Sequence, residues 1–127
     1  MEKLFRIISK KFDVELPATA AAIERAETHF GFEFPKDYKD FMKFTNGLEG
    51  ETAESYTVIW SAEELIELNQ AYHVTEFISD VIIFGYDGGE EAFAFDTSNT
   101  GRRIVKIPFI GMGHIATERL LTHFRIF

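Results

Sequence analysis

The stretch Val81-Ile82-Ile83-Phe84-Gly85-Tyr86-Asp87-Gly88-Gly89-Glu90-Glu91-Ala92-Phe93-Ala94-Phe95-Asp96 decides the fold. Val81 to Phe84 is a continuous apolar run, short enough to be a buried strand. Gly85 to Glu90 is dense in residues that turn a chain. Ala92-Phe93-Ala94-Phe95 resumes in extended form, which predicts Phe93 and Phe95 on one face and Ala92 and Ala94 on the other. A second turn, Thr97-Ser98-Asn99-Thr100-Gly101, leads into Ile104-Val105-Lys106-Ile107 and a stop at Pro108. Successive strands joined by short turns form an antiparallel meander.

Towards the N-terminus, Tyr56-Thr57-Val58-Ile59-Trp60 is rich in β-branched and aromatic residues and predicts another strand. Ser61, with Glu64 three positions on, is a capping box opening a helix to about Tyr72, with Leu65, Ile66, Leu68 and Tyr72 towards the core. Further back the spacing is helical. Pro17 and Thr19 mark the start of a helix whose Ile23, Ala26, Glu27 and Phe30 share a face, with Gly31 as its stop. Phe34-Pro35 opens another, with Tyr38, Phe41 and Met42 as its apolar stripe and Asn46-Gly47 as a left-handed stop. Leu4, Phe5, Ile7, Ile8 and Phe12 predict a short helix over residues 2–12, and Leu120, Leu121 and Phe124 anchor a helix over about 115–124. The expected fold is α+β: N-terminal helices on a mostly antiparallel sheet, one helix between the first strand and the meander, and a C-terminal helix. With no repeat, low-complexity tract or dividing linker, residues 1–127 are expected to form one domain.

A chain of 127 residues can bury roughly two thirds of the surface its unfolded form exposes. Apolar residues are 46% of it and aromatics 15%, fourteen of them Phe, enough to fill a core without disulfides or a structural metal. Cysteine is absent, which excludes disulfides, thiolate zinc sites, iron–sulfur clusters and a cysteine nucleophile. Met1 to Arg6 lacks the apolar run of a signal peptide, and no segment approaches a membrane span, so a soluble cytoplasmic protein is expected. The net charge of −8 disfavours nucleic acid and anionic membrane and suits a basic partner.

No motif assembles a catalytic or cofactor site. His29, His73, His114 and His123 show no metal-ligand spacing. The glycines of 85–89 precede a strand where a phosphate loop needs a helix, and no Lys-Ser or Lys-Thr follows. Asp96-Thr97-Ser98-Asn99-Thr100-Gly101 opens like a calcium loop, but Ile107 stands where the bidentate Glu belongs. No serine sits in a Gly-flanked elbow. Adjacent pairs such as Glu63-Glu64 and Glu90-Glu91 diverge, whereas two acids acting on one bond must converge. Catalytic, metal and cofactor residues are therefore expected to be absent.

What remains is acidic. Glu49, Glu51 and Glu54 crowd the connection after the third helix, and Asp87, Glu90 and Glu91 crowd the hairpin turn. On one side of the domain they would form a negative field that steers a basic protein. The alternative is a pair of ordinary solvated loops.

The segment from Ile23-Glu24 through Glu27, Phe30-Gly31-Phe32, Phe34-Pro35, Asp37-Tyr38 and Phe41 to Asn46-Gly47 resembles the signature of the SUKH superfamily, which includes the fungal Smi/Knr cell-wall-synthesis regulator. Phe34 stands where Leu is usual. Val58 to Trp60 with Ser61 to Leu65, and Phe84-Gly85-Tyr86-Asp87-Gly88-Gly89 with Ala92 to Asp96, resemble that group's following strand, helix and hairpin, so the likeness covers about residues 18–108. The resemblance implies that Gly31, Pro35, Tyr38, Phe41, Asn46, Gly47, Trp60, Gly85 and Asp96 are structural and that function lies on other surface. It implies a non-enzymatic protein-binding domain: an immunity protein that neutralises a toxin domain with a basic surface, such as a nuclease, or a regulatory or scaffolding module like Smi/Knr. Glu49, Glu51, Glu54, Asp87, Glu90 and Glu91 are then the expected partner-binding residues.

Overall fold

The computed structural model describes residues 13–14, 16–51, 56–72, 80–98 and 103–108. The helices expected over 2–12 and 115–124 lie outside the described residues. Within them are helices α1 (Ala20–Phe30), α2 (Lys36–Phe44) and α3 (Glu64–Ala71). Strands β1 (Asp13–Val14), β2 (Leu48–Glu51), β3 (Tyr56–Ile59), β4 (Val81–Tyr86), β5 (Glu91–Asp96) and β6 (Ile104–Pro108) form one sheet in the order β1-β2-β3-β4-β5-β6. Every neighbouring pair is antiparallel. The α+β class and the meander agree with the expectation. No helix among the described residues is long and apolar enough to cross a membrane.

Local chemistry accounts for α1 and its end. Thr19 caps α1, its hydroxyl oxygen accepting from the Ala22 N–H at 3.1 Å. Gly31 follows in the left-handed conformation (φ 61°), its N–H donating to the Glu27 carbonyl. The Glu27 side chain then accepts from the Phe34 N–H at 2.8 Å and faces the Lys39 ammonium at 3.3 Å, which pins the link between α1 and α2.

Pro35 stands just outside α2 as its N-cap. From α2, Tyr38 packs its ring against Phe84 (5.6 Å) and Phe95 (5.0 Å), beside Phe34 (5.2 Å). Phe84 and Phe95 stack at 4.3 Å. These rings, with Phe41, Met42, Leu65 and Ile83, are the centre of the core and are almost fully buried. Phe93 and Phe95 share the face that carries Phe84, but Ala92 and Ala94 are equally buried, so both faces of β5 are buried.

Four expectations are corrected. The residues after α2 are not a loop, because Leu48–Glu51 form β2, paired to β3 in the register Leu48↔Ile59 to Glu51↔Tyr56. The alternation there is weak, with one apolar residue, two Glu and a Gly, so the pairing partner rather than the pattern makes the strand. Gly47 has positive φ (90°) but does not end α2, which Thr45 does in extended conformation. The hairpin turn is shorter than expected, since Gly85 and Tyr86 belong to β4 and only residues 87–90 turn. Finally, Tyr72 is 45% exposed, and the residue facing inward from the end of α3 is Asn69.

Asn69 explains how the sheet survives the end of β3. Strand β3 pairs with β4 only through Val58↔Tyr86 and Ile59↔Gly85, with Trp60 N–H reaching the Phe84 carbonyl at 2.9 Å. Beyond that point the edge of β4 faces α3. There the buried Asn69 amide donates to the Ile83 carbonyl (2.8 Å) and accepts from the Ile83 N–H (2.9 Å), as a strand would. A third bond, to the Leu65 carbonyl at 2.7 Å, fixes the side chain on its own helix.

Candidate interaction surface

Register fixes where the acidic residues fall. The pairs Glu49↔Val58, Val58↔Tyr86 and Tyr86↔Ala92 put these four side chains in one row on one face of the sheet. Glu51↔Tyr56 lies two residues further towards one end. The turn 87–90 sits at that same end, because a Cβ on Gly88 would lie 2.7 Å from the Tyr56 ring. The structure therefore brings Glu51 and the Asp87–Glu90 turn together. Glu54 lies outside the described residues. Glu91 neighbours Ala92 along β5, so it points to the face opposite Glu49.

The acids differ in what they already do. Asp87 Oδ1 accepts from the N–H groups of Gly89 (2.9 Å) and Glu91 (3.2 Å), which closes the turn. Glu49 accepts from the Tyr56 hydroxyl, and this hydrogen bond, followed by desolvation and nearby negative charge, pushes the Tyr56 phenol up to about 12. Glu51 and Glu90 are exposed.

Beside the row of Glu49, Val58 and Tyr86 lies an open groove of about 810 Å³. Asn46 and Gly47 build one wall. The Asn46 amide donates to Glu63 Oε1 (2.7 Å) and its oxygen accepts from the Ala62 N–H (2.8 Å), clasping the end of α2 to the start of α3. Gly47 makes that clasp possible, since a Cβ there would lie 2.5 Å from the Ile59 carbonyl oxygen and 3.0 Å from Ser61 N. Gly85 allows the β3–β4 pairing in the same way, with Val58 O only 2.2 Å from where its Cβ would be. At the other wall Glu64 Oε1 accepts from the Ser61 N–H (3.1 Å) and hydroxyl (2.9 Å), the half of the capping box that holds Ser61. Trp60 and Tyr86 complete the lining, their rings 6.4 Å apart, and Tyr72 stacks on Trp60 at 6.0 Å. Among the described residues the groove is lined by three carboxylates, Glu49, Glu63 and Glu64, and by no Lys, Arg or His.

Residues 17–121 match the family model of the SMI1 / KNR4 family (SUKH-1). The chain belongs to that family. No curated protein matches it. Proteins of the SUKH group are generally non-enzymatic, acting in immunity or regulation, and are associated with protein partners. Each signature residue has a structural explanation within this SUKH domain. Gly31 caps a helix, Pro35 precedes one, Tyr38 and Phe41 fill the core, and Asn46 and Gly47 form the clasp. Trp60 extends the β3–β4 pairing, and Gly85 permits it. Asp96, fully buried, accepts from the Ser98 N–H (2.9 Å) and hydroxyl and lies 3.5 Å from the Arg103 guanidinium, which ties the end of β5 to the residue before β6.

Sequence reasoning missed the groove. The sequence presents Glu64 as the capping-box partner of Ser61, Glu63-Glu64 as a diverging pair, Tyr86 as part of a turn and Val58 as an ordinary strand residue. Their convergence depends on the β3–β4 register, for which the short pairing leaves no sequence signal.

Proposed function

We propose that this SUKH protein is a non-enzymatic immunity protein that acts in the cytoplasm by binding and neutralising a toxin domain with a basic surface. The observation that carries the reading is the gathering of Glu51 and the Asp87–Glu90 turn at one end of the sheet, in a chain of net charge −8. Exposed carboxylates in such an arrangement add little to folding but accelerate encounter with a cationic surface and orient it. A nuclease toxin, whose own nucleic-acid face is basic, is the partner that this field suits. Glu49, Glu54 and Glu91 extend the proposed contact set.

The test is capture of the partner from the native organism followed by co-expression. A captured domain that arrests growth when expressed alone and is silenced by this chain in a stoichiometric complex supports the reading. A captured partner that is harmless alone, or a toxin that co-expression does not silence, refutes it and favours the regulatory role.

A further inference from the structure

We infer that the groove beside β3 receives an extended protein segment that presents an arginine side chain. The inference rests on the reading of this chain as a protein-binding domain and is independent of whether the partner is a toxin. At about 810 Å³ the groove can hold several residues of chain rather than one side chain. Its charge is acidic among the described residues, where Glu49, Glu63 and Glu64 line it without a basic side chain.

Each carboxylate is also held in place. Glu63 is bonded through Oε1 to Asn46, Glu64 through Oε1 to Ser61, and Glu49 through Oε2 to Tyr56. Among the described residues the other oxygen of each makes no hydrogen bond, so three oriented acceptors remain for a ligand. Orientation of this kind favours a donor with several N–H groups in fixed geometry, which is a guanidinium rather than an ammonium. Tyr86, whose ring lies 6.4 Å from that of Trp60, adds an aromatic side chain to the same lining. Leu16, 85% exposed at the groove margin, and Val58 offer apolar surface to the aliphatic part of the same segment.

The experiment is a titration of the full ¹⁵N-labelled chain with the blocked peptide Gly-Arg-Gly-Arg-Gly, and with the same peptide carrying uncharged citrulline for arginine. Saturable shifts confined to the Trp60 indole N–H and the amides of Asn46, Val58 and Tyr86 are expected with the arginine peptide. Citrulline should weaken binding by about tenfold or more. Glu49→Gln/Glu63→Gln/Glu64→Gln together keep an acceptor oxygen at each internal bond and should weaken arginine binding similarly. Tyr86→Leu, read in the same way, serves if the triple variant does not fold. Equal binding of the two peptides, or non-saturating shifts spread over the acidic surface, would overturn the inference. The peptides involve no toxin, so a chain that binds them but silences no toxin fails only the immunity reading. A chain that silences a toxin but ignores them fails only this one.

Discussion

Replacing Asn69 by Leu removes the side chain that stands in for a missing strand. The substitution is nearly isosteric, and Leu suits a helix interior better than Asn, so propensity alone predicts a small gain. The structure predicts the reverse. Ile83 is fully buried, and its N–H and carbonyl meet Asn69 at 2.9 and 2.8 Å. Without the amide both groups stay buried and unbonded, each at about 1–3 kcal/mol. Allowing for the apolar contacts that Leu gains, the net loss is roughly 3 kcal/mol, a large share of a stability of about 5–15 kcal/mol. For a chain of this size that lowers the melting temperature by about 10 °C. Urea denaturation should show a lower midpoint with an unchanged slope, and the Ile83 amide should exchange faster. Asn69→Asp sharpens the test. A carboxylate keeps an acceptor for the Ile83 N–H but sets negative oxygen against the Ile83 and Leu65 carbonyls. That variant should therefore be unstable at neutral pH and recover as the carboxyl protonates and becomes a donor. A loss under about 1 kcal/mol for Asn69→Leu, or no pH dependence for Asn69→Asp, would refute the strand-surrogate role.

Gly31→Val should cost about 1–2 kcal/mol, because the left-handed backbone is disfavoured but the space is open. Gly47→Val should cost clearly more, since its Cβ also meets the Ile59 carbonyl at 2.5 Å, and parallel thermal melts rank the two. The Tyr56 phenol, held up to about 12 by its bond to Glu49, should titrate late by ¹³C NMR, and Glu49→Leu should return it towards 10. The stabilisation from that bond is fully present below the unfolded value near 10 and is lost as pH climbs from 10 towards 12. Replacing Glu49, Glu51, Glu54, Asp87, Glu90 and Glu91 by Gln or Asn should leave the melting temperature nearly unchanged. By stopped flow, association with the partner captured from the native organism should slow and lose most of its salt dependence, and equal rates and slopes would place the interface elsewhere.

The sequence revealed elements whose signals are local. Thr19 and Gly31 bracket α1 by chemistry that acts within one turn, and the Val81–Phe84 and Ala92–Phe95 runs announce a hairpin by composition. It concealed what depends on pairing. Leu48–Glu51 becomes a strand because β3 lies beside it, although its own residues favour no strand. Asn69 reads as an ordinary polar helix residue until the end of β3 leaves Ile83 without a neighbour. The candidate surface divides likewise. Acidic residues after α2 and in the 87–90 turn are visible in the sequence. Which of them share an end, which lie on opposite faces and which already serve the fold become visible only with the register.

That division bears on how one scaffold can serve different partners. The residues that carry the family likeness form the frame of the groove: Asn46 and Gly47 clasp α2 to α3, Trp60 continues β3, and Gly85 lets β4 approach. Altering any of them disturbs backbone packed at van der Waals limits. The side chains hung on that frame are different. Glu49, Glu63 and Glu64 are exposed, and exposed polar substitutions usually change stability by no more than about 0.5 kcal/mol. Recognition chemistry here can therefore vary while the clasp stays fixed. The clasp itself couples the two levels at one point, because Asn46 holds both the α3 backbone at Ala62 and the carboxylate of Glu63. Through that amide, a residue of the fold-defining signature also aims a residue of the groove.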